Sequence, residues 1–419
     1  MVKLLNTERP ADICRAFFLL IFSWHFASNK AFANGFYCAA LLICAISFLI
    51  LERLCVLTID LNAIQHNWLK LSSLTQSNVA GVIKANAYGL GAAEVGLALH
   101  AIGCREFFLA SVDEAIAARS YLPGDAVVYV LGGLRNVDVS ELYARNIIPV
   151  ICSAYDVERW LKFKTDCGIN AAAALKINTG MTRFGLDERD FYLLCGDESR
   201  LKAINPLMLM SHLACADDFV HLQNNLQFDR FLKSFQYIKK LLPQIKASLA
   251  NSSGIFLGKQ WHFDLVRPGA ALYGINPTPL EKNPMLPVVR LSLPILQIRR
   301  LDATELIGYG ATVSLSAGAK VAVVAGGYAD GVNRTLGAQP EGMLLGQRVK
   351  SIGRISMDSM IFDVSHIAAS DEDLMCSSID VVGEQFPLDK LIKDNQSLGY
   401  EVLTSIGSRY KRTYLSGVI

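Results

Sequence analysis

The chain has 419 residues, a formal net charge of +2, 52% apolar residues and a mean hydropathy of +0.31. The near-balanced charge excludes an electrostatic case for binding nucleic acid or an anionic surface, and the length calls for two or three domains. Ten cysteines lie scattered, with no CxxC pair and no Cys/His cluster at zinc spacing, which argues against a bound metal and for a reducing compartment.

The apolar excess sits in residues 1–56. Two runs, residues 16–27 and 36–51, are shorter than the roughly 20 residues that cross a bilayer as a helix. Lys3, Arg9 and Arg15 precede the first run and Ala31-Phe32-Ala33 follows it, the layout of a signal peptide with its cleavage site. Three readings stay open: a signal, an anchor of two short segments, or an extension outside the functional protein. For the last, a start near Val56 needs a non-AUG codon, because no methionine lies between Met1 and Met181. Membrane contact is expected only through this segment, and the catalytic region is expected in the cytoplasm.

From Thr58 the pattern becomes orderly. Residues 60–74 carry Leu61, Ile64, Trp68 and Leu71 at helical spacing. Val79 to Ile83 is a short apolar run with the character of a buried strand, and it ends in Lys84 before small residues and a Tyr88-Gly89 turn. A lysine at such a strand end is partly desolvated, which lowers its pKa and frees its amine as a nucleophile toward an aldehyde cofactor such as pyridoxal phosphate (PLP). Strands are predicted at 107–110, 126–131, 146–151, 172–177 and 207–210, with Leu272-Tyr273 closing the series and a helix over 112–120. Six or more β/α repeats argue for an α/β fold of the (β/α)8 TIM-barrel type, over residues 57–285, with its chemistry on the loops after the strands. Pro277, Pro279, Pro284, Pro287 and Pro294 read as a linker. Beyond it, strands at 291–301, 320–325, 343–349 and 359–364 predict a C-terminal mainly-β domain, residues 286–419.

Polar clusters follow the predicted strands. They are Asn178-Thr179-Gly180-Met181-Thr182-Arg183-Phe184-Gly185, Ser211-His212-Leu213-Ala214-Cys215-Ala216-Asp217, Ala250-Asn251-Ser252-Ser253-Gly254 and Arg267-Pro268-Gly269-Ala270-Ala271-Leu272-Tyr273-Gly274. The β region adds Gly308-Tyr309-Gly310-Ala311-Thr312, Gly326-Gly327-Tyr328-Ala329-Asp330-Gly331 and Gly353-Arg354-Ile355-Ser356-Met357-Asp358. With these motifs in this order, the chain resembles the fold-type III alanine racemases from about Thr58 to Tyr414.

The resemblance implies PLP held covalently by Lys84, which also serves as one proton-transfer base, and Tyr309 as the second base, reaching the site from the partner of a homodimer with shared active sites. Two bases on opposite faces invert Cα without moving the substrate. Arg267 matches the residue facing the pyridine nitrogen. His212, in the cofactor-binding set, matches the hydrogen-bond partner of Tyr309. Arg183 matches the residue that orients the cofactor hydroxyl and binds the substrate carboxylate, and Lys176 a lysine carbamylated in many relatives. Tyr88, Ser252, Gly269, Ala270 and Tyr400 match the phosphate cradle, with Asn251 beside them, and Met357 offers its backbone N–H to the substrate. Departures are Leu90 and Ser356 for a common histidine and cysteine, and Ser248 where many relatives carry a histidine that supports the pyridine-facing arginine. The implied reaction interconverts L- and D-alanine for peptidoglycan. A racemase for serine or a broader set is the alternative. A non-catalytic PLP-binding homeostasis protein fits less well, since such proteins lack the β domain.

Overall fold

The computed structural model describes residues 56–332, 340–389 and 398–416, so the apolar runs of residues 1–55 lie outside the described residues. Among the described residues, no helix is long and apolar enough to cross a membrane. Contacts divide the chain into two compact units: Ile59–Val288 with Leu398–Thr404 and residues 414–416, and residues 56–58 with 289–332, 340–389 and 405–413.

After a first strand, β1 (Val56–Asp60), Asp60 Oδ1 accepts from Ala63 N at 3.0 Å and caps the helix Leu61–Ser73. That helix buries Leu61, Ile64, Trp68 and Leu71, the face its periodicity predicts. Parallel strands follow: β2 (Asn78–Val79), β3 (Gly81–Val82), β4 (Glu106–Leu109), β5 (Val127–Val130), β6 (Ile147–Ile151), β7 (Ala173–Lys176), β8 (Pro206–Met210), β9 (Lys246–Ser248) and β10 (Leu265–Val266). Strands β3 to β9 form one sheet in chain order, and β10 pairs with β2. Backbone bonds close the ring. Asp264 N and Arg267 N donate to Ala247 O and Ala250 O, while Ala80 N and Val82 N donate to Val266 O and Pro268 O, all at 3.0–3.1 Å. With β2 and β3 read as one strand interrupted at Ala80, eight strands close into a (β/α)8 barrel. Its interior is filled by buried side chains including Val82, Phe108, Tyr129, Val150, Met208 and Met210.

Four details correct the sequence reading, the first being that the strand expected at 343–349 is a hairpin of Glu341–Leu344 and Gln347–Ser351. Leu272 and Tyr273 are in a 3-10 helix (Ala270–Tyr273), and the closing strand is β10, too short for any periodicity to reveal. The strand before Lys84 stops at Val82. Pro294 belongs to the strand Val289–Arg300 and not to a linker. It sits where that strand changes partner, from residues 378–382 to residues 320–324, so the missing N–H falls at a break in the ladder.

The other unit is antiparallel. Strands Lys320–Ala325, Ser359–Asp363, Gln347–Ser351, Glu341–Leu344, Ser378–Val382 and Val289–Arg300 are neighbours in that order, and the last pairs back to the first. A separate hairpin, Glu305–Ile307 with Val313–Leu315, carries Tyr309 at its tip, where positive φ at Gly308, Gly310 and Ala311 turns the chain.

Candidate active site

Lys84 opens a five-residue helical turn, Lys84–Tyr88, that coils the wrong way: Ala85, Asn86, Ala87 and Tyr88 have φ of 51–57°. A left-handed turn of L-residues costs roughly 1–2 kcal/mol per residue, so its surroundings must over-determine it. They do. Ala87 N donates to Ile83 O at 2.9 Å, Gly89 N to Ala85 O at 2.8 Å, and Gly91 N to Asn86 O at 3.0 Å. Asn86 Oδ1 accepts from Ala92 N at 2.9 Å, and Glu114 Oε1 accepts from Ala85 N at 2.7 Å. Gly89 closes the turn at φ 86°, with Leu403 O where a Cβ would stand. Glu114 is fixed in turn by a capping box with Ser111. The Lys84 amine is half-buried, and its pKa is lowered first by burial and then by the charge of Arg183, against a smaller opposing effect of Glu114.

Around the barrel mouth the loops deliver more cations. Burial, followed by the charges of Arg267, Lys176, Arg183 and Lys84, holds the His212 imidazole well below the usual histidine range. Burial pushes Lys176, the last residue of β7, down to about 8; Cys152 opposes this, and Arg267, Arg183 and Lys84 reinforce it. Its Nζ also lies 5.5 Å from the centre of the Phe184 ring. Arg267, pushed down to about 9 by burial, donates to Ser248 Oγ and Ser211 O, and Ser248 donates onward to Leu265 O at 2.6 Å. The hydroxyl of Ser248 thus contacts the guanidinium directly. Phe108 stacks on Tyr129 at 4.5 Å, and the Arg267 guanidinium carbon lies 5.9 Å from the Phe108 ring.

The predicted phosphate cradle is assembled on one side. Ser252 Oγ accepts from Gly269 N at 3.0 Å and from Ala271 N at 3.1 Å, with Ala270 opening the turn between them. A Cβ on Gly269 would stand 2.5 Å from Tyr88 Oη, so this glycine is required by the approach of the phenol. The Tyr88 ring packs on Tyr273 at 4.7 Å, and its phenol is pushed up to about 12 by burial and then by Tyr400. Tyr400 lies within electrostatic reach of Asp217 and Arg183 as well. Asn251 is held by the scaffold: Nδ2 donates to Leu213 O and Oδ1 accepts from Gly254 N.

Within the other unit, Tyr309 is 72% exposed and Met357 is also exposed. The Met357 loop is braced by Tyr328 N to Ser356 O at 3.1 Å and Ala329 N to Met357 O at 3.0 Å. Asp358 pairs with Arg409 at 2.8 Å, and Arg409 with the buried Asp330 at 3.1 Å. Sequence reasoning missed Glu114 and Gln227, and named Ser211 only within its polar cluster. The Ser111-x-x-Glu114 capping box was the available signal for Glu114; Gln227 carries none.

Comparison with known proteins places this geometry. Models of the alanine racemase N-terminal and C-terminal domains match residues 59–277 and 288–414. An alanine racemase of Rhodospirillum rubrum is 44% identical over 363 residues, covering 86% of this chain and 95% of that protein. A catabolic alanine racemase of Mesorhizobium japonicum is 41% identical over 367 residues, covering 86% and 93%. The crystal structure of an alanine racemase from Bartonella henselae, with covalently bound pyridoxal phosphate, matches with a TM-score of 0.80 at 33% identity over 86% of this chain and 99% of that one. The chain belongs to the alanine racemase family.

Proposed function

We propose that the protein is a PLP-dependent alanine racemase, acting as a C2 homodimer and supplying D-alanine for peptidoglycan in the cytoplasm. The observation that carries this reading is the half-buried Lys84 amine, its pKa lowered by burial and by Arg183, at the mouth of a barrel that also presents Arg267 and the Ser252–Gly269 cradle. The residues present fit the cofactor: a nucleophilic amine, a buried guanidinium, and a glycine whose missing Cβ leaves room beside the Tyr88 phenol. When bound, PLP would delocalise the electron pair left as the Cα–H bond breaks, with the Lys84 amine released for proton transfer.

The chain's own groups account for the rest. Tyr88, Ser252, Gly269, Ala270 and Tyr400 would hold the phosphate. Arg267 stays protonated at neutral pH with its pKa near 9, and would meet the ring nitrogen with an N–H that does not transfer, which disfavours decarboxylation. Arg183 and the Met357 N–H would bind the substrate carboxylate. Lys84 Nζ would take or return the Cα proton on one face, and Tyr309 Oη from the partner on the other, with His212 beside it. A phenol exposed on a hairpin tip is free to reach into a second subunit.

The test is incubation of the purified protein with PLP and L-alanine or L-serine, following D-isomers by chiral chromatography. Rapid D-alanine with little D-serine is expected. Tyr309→Phe tests the two bases. L- and D-alanine have equal free energies, so net racemisation must fall equally from both sides. Exchange of the Cα proton with D2O need not: it should survive for one enantiomer and vanish for the other. Survival for both or for neither would contradict the scheme.

A further inference from the structure

The first turns of the helix Leu222–Leu241 are set against their own composition, although Phe231 and Ile238 face inward further along. They expose Leu222 at 77% and Leu226 at 51%, while Asn224 and Gln227 face inward and Gln227 is 0% exposed. A fully buried amide is tolerated only where its hydrogen-bonding groups are met. Those of Gln227 are met by the loops of the site. Nε2 donates to His212 O at 2.9 Å and Oε1 accepts from Ala214 N at 2.8 Å. Those are the carbonyl of one residue and the N–H of the next but one, so the side-chain amide pairs with the segment as a neighbouring strand would. The second Nε2 hydrogen goes to Thr179 Oγ1 at 3.1 Å. Thr179 in turn bonds Ser211 Oγ at 2.8 Å, Ser211 Oγ also bonds Ile177 O at 2.8 Å, and Ser211 O accepts from Arg267. The orientation of the amide is forced, because exchanging O and N would set donor against donor at Ala214 and acceptor against acceptor at His212.

We infer that Gln227 is a positioning residue: its amide extends β8 beyond its end, sets the backbone that carries His212, and ties that segment through Thr179 and Ser211 to the loop bearing Arg183 and to Arg267. This rests on the racemase reading given above. None of these contacts touches substrate, so the effect is on the geometry of groups that do. A displacement near 1 Å can cost on the order of 100-fold in rate.

The test compares Gln227→Met and Gln227→Glu in the PLP-loaded enzyme. Gln227→Met removes both donors and the acceptor at similar volume, and kcat should fall on the order of 10–100-fold with a smaller change in KM for alanine. Gln227→Glu is isosteric. When neutral, the introduced carboxyl keeps the acceptor for Ala214 N and one donor; when ionised, it faces the His212 carbonyl with a charge. Its kcat should therefore lose a limb as pH rises that wild type and Gln227→Met do not show, and a merely structural role would not create that limb. Hydrogen exchange of the Ala214 amide gives a readout that needs no turnover, and should be faster in Gln227→Met. Should that variant fail to fold, Thr179→Val cuts the same network while keeping shape, and a several-fold loss of kcat is expected. Wild-type kcat and pH profile in both Gln227 variants, or unaltered Ala214 exchange, would overturn the inference. Inactive wild type would overturn the racemase reading instead, and the exchange measurement would still decide the role of Gln227.

Discussion

Gly269→Ala is the sharpest probe of the proposed phosphate cradle. The new methyl would lie 2.5 Å from Tyr88 Oη, 3.2 Å from Tyr88 Cζ and 3.3 Å from Val82 Cβ. The first distance is too short, so something must move. Tyr88 cannot swing freely, since its ring packs on the fully buried Tyr273, whose own hydroxyl is tied to Val82 O at 2.9 Å. Gly269 is likewise held through its N–H by Ser252 Oγ. Overpacking of this kind costs roughly 1–3 kcal/mol. If the strain is relieved by displacing Tyr88 or Ser252, it appears as weaker cofactor binding, roughly 5- to 150-fold at about 1.4 kcal/mol per factor of ten. The assay is PLP titration of the cofactor-free protein, followed by visible absorption, with a thermal melt to locate any strain in the fold. Gly196→Ala is the matched control, because a Cβ there meets nothing within 4 Å. Unchanged PLP affinity and unchanged melting of Gly269→Ala would refute the claim that Tyr88 and Gly269 are held in register.

Lys176 gives a pH test. Its folded-state pKa of about 8 lies below the ordinary 10.5, so the fold disfavours the charged form; the penalty is complete below about pH 8 and disappears as pH rises toward 10.5. The difference is worth at most about 3 kcal/mol. In bicarbonate-free buffer, Lys176→Met should therefore raise the melting temperature of cofactor-free protein at pH 7 and do little at pH 10.5; a variant less stable at pH 7 would reject the assignment. The left-handed turn gives another. Ala85 is exposed with φ 51°, so Ala85→Gly relieves strain of about 1–2 kcal/mol against an entropic loss of roughly 0.5–1 kcal/mol. Denaturant melts should show stability unchanged or raised by up to about 1.5 kcal/mol, and a loss of about 1 kcal/mol would mean the turn is right-handed.

The barrel was legible where burial made it so. Strands enclosed on both faces read as continuous apolar runs, as in Val127–Val130 and Ala173–Lys176. Strand β10 was not, because two residues carry no period and its place is set by pairing with β2, 186 positions or more away in the chain. Nor was the turn after Lys84: Lys-Ala-Asn-Ala-Tyr contains ordinary helix formers, and its hand is imposed by Glu114, Asn86 and Gly89. The candidate site residues stood out as ordered motifs, and several of their supports did not. Gln227 sits beside Leu222 and Leu226, which advertise the wrong inward face; the loops it bonds, with Phe231 and Ile238 further along, set which side turns in.

Charge explains why a serine suits position 248. Lys84, Lys176, Arg183, His212 and Arg267 act on one another across the barrel mouth, and burial lowers Lys84, Lys176, His212 and Arg267. Glu114 is the carboxylate that most directly raises Lys84. In such a field another ionisable imidazole against Arg267 would either protonate, at a Coulombic cost, or sit neutral with one tautomer fixed. A hydroxyl needs neither. Ser248 accepts from the guanidinium and donates its own hydrogen bond to Leu265 O, so it orients Arg267 without adding charge. The excess positive charge is then left for ligands to offset. A phosphate dianion and a substrate carboxylate both do so, which makes the cluster unfavourable for the empty fold and favourable for the loaded one.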